Sequence, residues 1–538
     1  MPTLHWIGKD KVVKHHHEVP FKTLRREYVH TAPEGAPGNS AGNRIIHGDN
    51  LEALKALLPE FEGRVKCIYI DPPYNTGNEG WVYNDNVNDP RIQKWLHQVV
   101  GKEGEDLSRH DKWLCMMYPR LKLLHRLLAS DGVIFVSIDD NEMHNLRPMM
   151  NEIFGENNRI EQFIWKKSYG GGAKERFAVT VHEYVLLYAK NKESVAGLWL
   201  PPDPGAEKRY YKYKDSKVEI RGPYRIKPLE ATKSMDRREN LVYPIPAPDE
   251  TEVWPERQWW WSKERAYMAL EADELAFTKK KTGGWSISYK QYLNDDSGEQ
   301  RKAKPFSIID GIYTQQGSAE LLSIFTERLA FQFPKPSALI EYFLKMLGTP
   351  SGEMIVLDSF AGTGTTAHAV LKLNAQDGGN RRFILTEMLD YAETTTAERV
   401  RRVMAGYGAE DKTIAGLGGS FEYYTIGEAL FDEDGNLNEA VPVEEIRRYV
   451  AYTEGVEYGP SEMSPYFIGQ ANDAAYLFHY EPDRATALDY EFLNSLQFTG
   501  GARPATLVVY ADNCLLSQDQ LRKHGIIFKK IPRDITRF

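Results

Sequence analysis

The apolar run Val65–Ile70 ends abruptly at Asp71-Pro72-Pro73-Tyr74, and this boundary constrains the fold more than any other stretch of the chain. A short apolar run that stops at a turn is typical of a buried strand. The two prolines fix two successive φ angles, so the side chains and carbonyls of the turn have little freedom. Ligands of α/β proteins bind at the carboxyl ends of such strands. The segment therefore predicts an α/β fold with a ligand site at Asp71.

The residue types of this turn suit a planar ring that carries an amine. The Asp71 carboxylate can accept a hydrogen bond from the amine, and the Tyr74 ring can stack on the planar ligand. The alternative is a rigid corner with a solvated Asp71. A second motif far downstream favours the ligand site.

That second motif is a predicted strand, 355–358, which runs into a turn containing Phe360, Gly362 and Gly364. The glycines let the backbone turn sharply and approach a ligand, and the helix predicted at 365–373 offers free N–H groups at its start. About twenty residues further on, Glu387 follows the next predicted strand and is placed to accept hydrogen bonds from ribose hydroxyls. Alone, the glycine pattern fits a dinucleotide site equally well.

Composition places the chain among ordinary globular proteins. Its 538 residues should form about two to four domains, and its hydrophobic content of 42% and charged content of 27% are typical of such proteins. No apolar run reaches membrane-spanning length, no signal-peptide core is visible, and three widely spaced cysteines indicate a reducing compartment. We therefore expect a cytoplasmic protein. No cluster of Cys or carboxylate residues joins His15-His16-His17, so we expect a solvated run and no metal site.

The net charge of −9 does not favour nucleic acid, but basic residues are clustered locally. In residues 208–214, Lys and Arg alternate with Tyr, a mixture that suits phosphate contact and base stacking. We predict that Lys208, Arg209 and Lys212 bind DNA. Trp259-Trp260-Trp261 lies in the same region, and we expect at least one of the three rings to be buried.

Asp-Pro-Pro-Tyr together with Phe-x-Gly-x-Gly resembles the paired motifs of the amino-methyltransferases that use S-adenosylmethionine to methylate exocyclic amines of DNA bases. The Asp-Pro-Pro-Tyr segment comes first here, an order that resembles the β group of these enzymes. The wider sequence resembles a modification subunit of a type III restriction system, in residues 4–9, 45–58, 165–167 and 333–336. The resemblance covers 1–200 and 305–405 well and is weakest beyond about 420.

The resemblance implies a Rossmann-like, S-adenosylmethionine-dependent methyltransferase fold: α/β, with a doubly wound sheet and a circularly permuted motif order. Alternating strand and helix patterns between 44 and 191 agree with a parallel sheet. The expected parts are an N-terminal arm, 1–43; the catalytic half of the core, 44–199; a target-recognition insert, 200–305; the cofactor half of the core, 306–405; and a C-terminal accessory domain, 420–538.

The implied reaction is methyl transfer to the N6 amine of adenine. Asp71 and the Pro72 carbonyl accept the two amine hydrogens, Pro73 stiffens the turn, and Tyr74 stacks on the base. Because the amine is buried in duplex DNA, the base has to flip out, at a cost of roughly a few kcal/mol.

The implied cofactor is S-adenosylmethionine. Its expected contacts are Asp49, Phe333, Lys335, Asp358, Phe360, Gly362, Gly364 and Glu387. Glu387 binds the ribose, while Asp49 meets the adenine end, caps the helix predicted at 51–58, or does both. Asp358 either orients the methionine amino group or braces the loop. Phe333 and Lys335 are expected to close over the methionine moiety.

Lys166 and Lys167 are further candidates for DNA binding, and the glycine run 170–172 behind them is either a loop that closes over DNA or a plain connector. The implied partners are double-stranded DNA, a second copy of the chain and a restriction helicase-nuclease, with residues 420–538 as the contact region. Four alternatives stay open: cytosine-N4 transfer, an RNA substrate, a non-catalytic DNA-binding scaffold and an NAD-dependent oxidoreductase.

Overall fold

The computed structural model describes residues 3–34, 36, 40–76, 109–170, 176–201, 204–231, 238–281, 283–325, 334–408, 413–459, 463–497 and 503–532. The chain divides into two compact units. One combines Met1–Gly197 with Phe306–Phe538, and the other is Leu198–Pro305. The smaller unit coincides within two residues with the insert expected at 200–305.

A ten-stranded sheet forms the centre of the larger unit. Its order is Lys22–Thr31, Ser420–Ala429, Asn43–His47, Asn380–Glu387, Glu353–Asp358, Val65–Ile70, Leu128–Ile138, His182–Ala189, Arg159–Lys166 and Ile308–Ile309. Lys22–Thr31 and His182–Ala189 run antiparallel to their neighbours, and the other strands are parallel to one another.

The register of this sheet joins the two sequence motifs. Val356 pairs with Cys67 and Leu357 with Ile68, so the strands that precede the two turns are direct neighbours. Because parallel strands end at the same edge, the Asp-Pro-Pro-Tyr turn and the glycine turn emerge side by side.

Successive side chains of the central strands point to opposite faces, and both faces are covered. Ile68 and Val136 belong to a buried cluster with Leu54 and Leu121, which come from helices on one side. On the other side, the Phe343 ring lies 4.7 Å from the Phe135 ring. Helices on both faces confirm the predicted doubly wound α/β fold.

The helices of the larger unit are Lys9–Val12, His15–Glu18, Asn50–Phe61, Arg109–Leu127, Met143–Phe154, Thr314–Phe325, Ser337–Met346, Thr365–Asp377, Glu398–Ala405, Val443–Thr453, Tyr490–Ser495 and Gln518–Lys523. Short 3-10 turns lie at Glu156–Asn158 and Lys192–Ser194, and a π turn lies at Ala392–Ala397. Within the described ranges, no helix combines the length and apolar character needed to cross a membrane.

The expected N-terminal arm, 1–43, is instead part of the fold. Lys22–Thr31 forms the edge strand of the central sheet, and Trp6 Nε1 donates a hydrogen bond to Cys115 Sγ at 3.3 Å. His16, expected to be solvated, is buried, and burial lowers its pKa to about 4. Among the residues that the structure describes, no three His, Cys, Asp or Glu side chains are grouped as metal ligands would be.

The C-terminal region begins later than expected, because Ser420–Ala429 lies in the central sheet between its first and third strands. Beyond it, four strands form a separate sheet: Phe467–Ala471, Ala474–Phe478, Thr506–Ala511 and Ile526–Lys530. The helix Gln518–Lys523 leads into the last of these strands. The Tyr452 hydroxyl donates to Glu62 of the core, and the whole region lies in the larger compact unit. Two short ribbons pair Gly406–Tyr407 with Ile414–Ala415 and Ala487–Leu488 with Asn513–Cys514.

The unit Leu198–Pro305 has its own core. Its antiparallel sheet has the order Leu275–Lys279, Trp285–Tyr292 and Tyr224–Pro228, and a ribbon joins Ile245–Pro246 to Glu252–Val253. Its helices are Pro204–Tyr210, Val218–Arg221 and Lys263–Glu271, with a 3-10 turn at Glu239–Leu241. Trp259 is 1% exposed and donates to the Tyr243 carbonyl oxygen at 2.7 Å, whereas Trp260 is 49% exposed. The expectation of at least one buried tryptophan is confirmed.

Trp259→Ala should lower the free energy of unfolding by about 3–5 kcal/mol, because it leaves a cavity in this core. Trp260→Ala is the matched control and should change that free energy by no more than about 0.5 kcal/mol. Urea denaturation followed by circular dichroism measures both. Equal effects of the two substitutions would contradict the assigned core.

Candidate active site

A cavity of about 510 Å³ opens at the carboxyl edge of the central sheet. The two predicted motifs line it together: Asp71 to Tyr74 contribute one part of the wall, and Asp358 to Thr363 contribute another. The volume lies within the range of small-molecule sites. Two segments that lie far apart in the sequence therefore line one cavity.

The Asp71 carboxylate is paired with Lys335. Lys335 Nζ lies 2.9 Å from Asp71 Oδ1 and 2.9 Å from Oδ2. Burial raises the pKa of Asp71, while the Lys335 ammonium opposes that rise. Burial acts to lower the pKa of Lys335, but the charges of Asp71 and Glu183 outweigh it and raise that pKa. Lys335 is therefore an ammonium held against the carboxylate.

The Lys335 ammonium lies at the Asp71 corner, 4.8 Å from the centre of the Tyr74 ring. The expected contact of Lys335 with the methionine moiety stays a prediction. The Lys335 backbone oxygen accepts a hydrogen bond from Thr365 Oγ1 at 3.3 Å, so the residue joins the two ends of the cavity. Phe333, Gly171 and Gly172 lie outside the described residues.

Glu183 is a site residue that sequence reasoning missed. Its carboxylate accepts hydrogen bonds from the Tyr74 hydroxyl at 3.0 Å and from Lys167 Nζ at 2.9 Å, and it lies 3.5 Å from Lys335 Nζ. Burial acts to raise the pKa of Glu183, but the two ammonium groups outweigh it and lower that pKa. The sequence signal that could have identified Glu183 is its position as an acidic residue directly before the apolar run 184–188. Lys167, expected at the DNA, faces this cavity.

Hydrogen bonds from neighbouring side chains fix the Asp-Pro-Pro-Tyr turn. Trp113 Nε1 donates to the Pro73 carbonyl oxygen at 2.7 Å. Asn75, in the left-handed region with φ 57°, donates to the Arg109 carbonyl oxygen at 3.1 Å and also to Glu142. The turn is rigid because its prolines and these contacts act together.

Asp358 braces the glycine turn. Its Oδ1 accepts from the Phe360 amide at 3.0 Å, and its Oδ2 accepts from Thr366 Oγ1 at 2.5 Å. Burial raises the pKa of Asp358 to about 7. These contacts brace the loop, which is one of the two roles that the sequence left open.

Glu387 lies at the end of its strand and lines the cavity beside the same turn. Its Oε2 accepts from the Gly362 amide at 2.8 Å, and its Oε1 accepts from the Leu389 amide at 3.1 Å. Burial raises the pKa of Glu387 to about 7 as well. Two acids with pKa values shifted towards neutrality by burial are typical of a functional cleft.

Asp49 does not line the cavity in the way expected. Its Oδ1 accepts from the Leu51 amide at 2.8 Å, so it caps the helix Asn50–Phe61. The next residue, Asn50, lines the cavity and donates to the Ser359 carbonyl oxygen at 3.1 Å. Arg120, also missed by sequence reasoning, donates to the Asn50 side chain and lines the same wall.

The remaining basic candidates lie at the surface. Lys166 pairs with Asp310 at 3.1 Å in the larger unit. Lys208 and Arg209 are exposed in the last turn of the helix Pro204–Tyr210, and Lys212 is exposed just after it. The Arg209 guanidinium lies 5.8 Å from the centre of the Tyr210 ring.

Residues 65–398 match the DNA methylase family, and the chain belongs to that family. It is 33% identical to the Mod subunit of the type III restriction-modification enzyme StyLTI from Salmonella typhimurium, over 76% of this chain and 61% of that protein. It is 32% identical to the type II methyltransferase M.KpnI from Klebsiella pneumoniae, over 65% of this chain and 82% of that one.

Among solved structures, the chain is similar to the PvuII DNA methyltransferase, which is described as cytosine-N4-specific, with a TM-score of 0.31 and 13% identity. That match covers 68% of this chain and 89% of the other. The chain spans about three fifths of the length of the type III Mod subunits that it matches.

Gly364→Ala should destabilise the protein more than Gly378→Ala, although both glycines flank the helix Thr365–Asp377 with left-handed φ angles of 77° and 67°. Each substitution carries the left-handed penalty of roughly 1–2 kcal/mol. A Cβ at Gly364 would also meet the Thr396 backbone oxygen at 3.1 Å, whereas nothing lies within 4 Å at Gly378. Urea denaturation should show an extra loss of about 1 kcal/mol or more for Gly364→Ala. Equal losses would contradict the close approach.

Proposed function

We propose that this protein transfers a methyl group from S-adenosylmethionine to the N6 amine of adenine within a specific sequence of double-stranded DNA. The observation that carries the proposal is the shared cavity, in which a carboxylate-and-aromatic corner and a glycine turn meet on adjacent strands. Membership of the DNA methylase family supports it.

The cofactor fits the glycine end of the cavity. Gly362 has a φ of 53°, so the turn can approach a ligand closely, and Glu387 is placed at the end of its strand to accept hydrogen bonds from ribose hydroxyls. The bound cofactor supplies the electrophilic methyl group.

The Asp71 end of the cavity positions the amine. An unperturbed aspartate has a pKa near ~3.9 and is too weak a base to ionise an exocyclic amine beforehand. Asp71 and the Pro72 carbonyl therefore act as acceptors for the two amine hydrogens and favour a pyramidal nitrogen whose lone pair faces the methyl group. The Tyr74 ring stacks on the base, and Glu183 fixes its orientation through the hydroxyl.

DNA recognition is assigned to the unit Leu198–Pro305 and to Lys166 in the core. Lys208, Arg209 and Lys212 contact phosphates, which sets the position of the protein on the duplex without reading bases. Flipping of the target adenine costs roughly a few kcal/mol, which stacking on Tyr74 partly offsets.

The biological setting that we propose is a type III-like restriction-modification system in the cytoplasm. The relatives named as type III Mod subunits support it. In this setting the chain is the modification subunit, pairs with a second copy of itself and binds a restriction helicase-nuclease, with the region after Ser420–Ala429 as the contact surface.

The proposed function is tested by expressing this chain alone in a host that lacks DNA methylation and sequencing the DNA with long reads. N6-methyladenine in one sequence context is expected. Detection of N4-methylcytosine would instead identify cytosine as the target base. Unmodified DNA, together with a failure to bind S-adenosylmethionine, would point to a scaffold.

Asp71→Ala should lower the methylation rate by at least about a hundredfold, because it removes an acceptor that acts in the transition state. Binding of S-adenosylmethionine, measured by calorimetry, should remain. Asp131→Ala is the control, since Asp131 also pairs with a lysine but lies at the surface. Retained methylation in Asp71→Ala would overturn the assignment.

Replacing Lys208, Arg209 and Lys212 together by Ala should weaken DNA binding and flatten its dependence on salt. The slope of log K against log salt should fall by about 0.9 for each phosphate that the protein no longer neutralises. The charge-matched control replaces Arg522, Lys523 and Lys530, which are exposed in the C-terminal region. An unchanged slope, measured by fluorescence anisotropy, would remove the cluster from the interface.

A further inference from the structure

The proposed function needs Asp71 to receive an amine, yet both carboxylate oxygens already face an ammonium. Lys335 Nζ lies 2.9 Å from each of them. An ammonium has three donors and no acceptor, and the target amine likewise approaches with its N–H donors. Because Lys335 Nζ contacts both oxygens, the target amine has to share this carboxylate with the ammonium or displace it.

A second carboxylate lies within reach of the same ammonium. Glu183 Oε2 is 3.5 Å from Lys335 Nζ, just beyond hydrogen-bond distance. Glu183 already accepts from Tyr74 and Lys167, and a carboxylate offers about four lone-pair sites. A shift of less than about 1 Å would bring Lys335 into full contact with Glu183.

The surroundings of Lys335 keep this ammonium between the two acids. Its side chain is 10% exposed, and the ring centres of Tyr74 and Trp165 lie 4.8 Å and 5.9 Å from Nζ. Aromatic faces attract a cation without a directional bond, so they stabilise Lys335 at either carboxylate. The side chain is confined to the corner and is not committed to one partner.

We propose that Lys335 is a positioning residue that holds the Asp71 carboxylate ionised and aligned until the target amine replaces it, and that Glu183 receives the Lys335 ammonium at this exchange. The role rests on the proposed methyl transfer. It explains why two lysines and two acids share a corner that needs one carboxylate for the reaction. When Lys335 is removed, Glu183 keeps its ion pair with Lys167 at 2.9 Å.

The test compares single-turnover methylation of DNA at a series of pH values for the unmodified protein and for Lys335→Met. Among the described residues, the groups that act on Asp71 include Lys335, Glu183, Asp358, Tyr74 and Tyr69, and burial and Glu183 already raise its pKa. Loss of the ammonium should raise that pKa further, so the carboxylate ionises at higher pH. The acid limb of the pH–rate profile, where the rate falls as Asp71 is protonated, should therefore move to higher pH by roughly one unit or more.

Lys335→Arg should return the limb to its original position, because it restores the cation. Lys66→Met is the matched control: it removes a Lys–Asp ion pair with Asp131 at the surface, and the pH profile should not change. Circular dichroism checks the fold of each variant. An inactive Lys335→Met protein supports the role if Lys335→Arg restores activity with the original limb, and overturns it otherwise.

The Glu183 part of the proposal is tested with Glu183→Gln, which keeps an acceptor for the Tyr74 hydroxyl but removes the charge that attracts Lys335. At saturating DNA, the single-turnover rate should fall by roughly tenfold, with the affinities for DNA and S-adenosylmethionine changed less than about twofold. In the Lys335→Met background the same substitution should have little further effect, because no ammonium needs to move.

Two results would overturn this inference alone: an unshifted acid limb in an active Lys335→Met protein, or additive effects of the two substitutions. Additive effects would mean that Glu183 acts through Tyr74 and not through Lys335. A complete absence of methylation by the unmodified protein would instead overturn the proposed function, and this role with it.

Discussion

The parallel pairing of Glu353–Asp358 with Val65–Ile70 is the constraint on which the site depends. Val356 opposite Cys67 sets a register in which the two strands end at the same edge. Without this pairing, the Asp-Pro-Pro-Tyr turn and the glycine turn would not lie side by side. A slip of one residue would turn the side chains of one strand to the opposite face of the sheet. Because both faces are buried, the packing of these side chains fixes the register.

Burial of the four charged side chains at the Asp71 end of the cavity is unfavourable in free energy. Asp71, Lys335, Glu183 and Lys167 lose water when the site folds, and ion pairs of this kind rarely recover the whole desolvation penalty. Their retention is therefore better explained by chemistry than by stability. The glycine end of the cavity shows the same pattern, because burial raises the pKa values of Asp358 and Glu387 to about 7.

Sequence patterns predicted the core strands and the shared site, but they failed where local chemistry gave no signal. Lys22–Thr31 is rich in charge because an edge strand faces water on one side, and such a strand resembles a solvated arm. Ser420–Ala429 looked like the start of a separate domain because its partners, Lys22–Thr31 and Asn43–His47, lie almost four hundred residues away in the chain.

The sequence by itself determined the class of fold and the two motifs, since strand periodicity, proline turns and glycine turns are local properties of the chain. The resemblance of the paired motifs to a known family indicated the family. Only the tertiary structure decided which charges meet. Lys335 is paired with Asp71, and Glu183 with Tyr74, through contacts that span 264 and 109 residues. The physical reason is that an ion pair depends on distance in space and burial, and neither can be read from the spacing of residues along the chain.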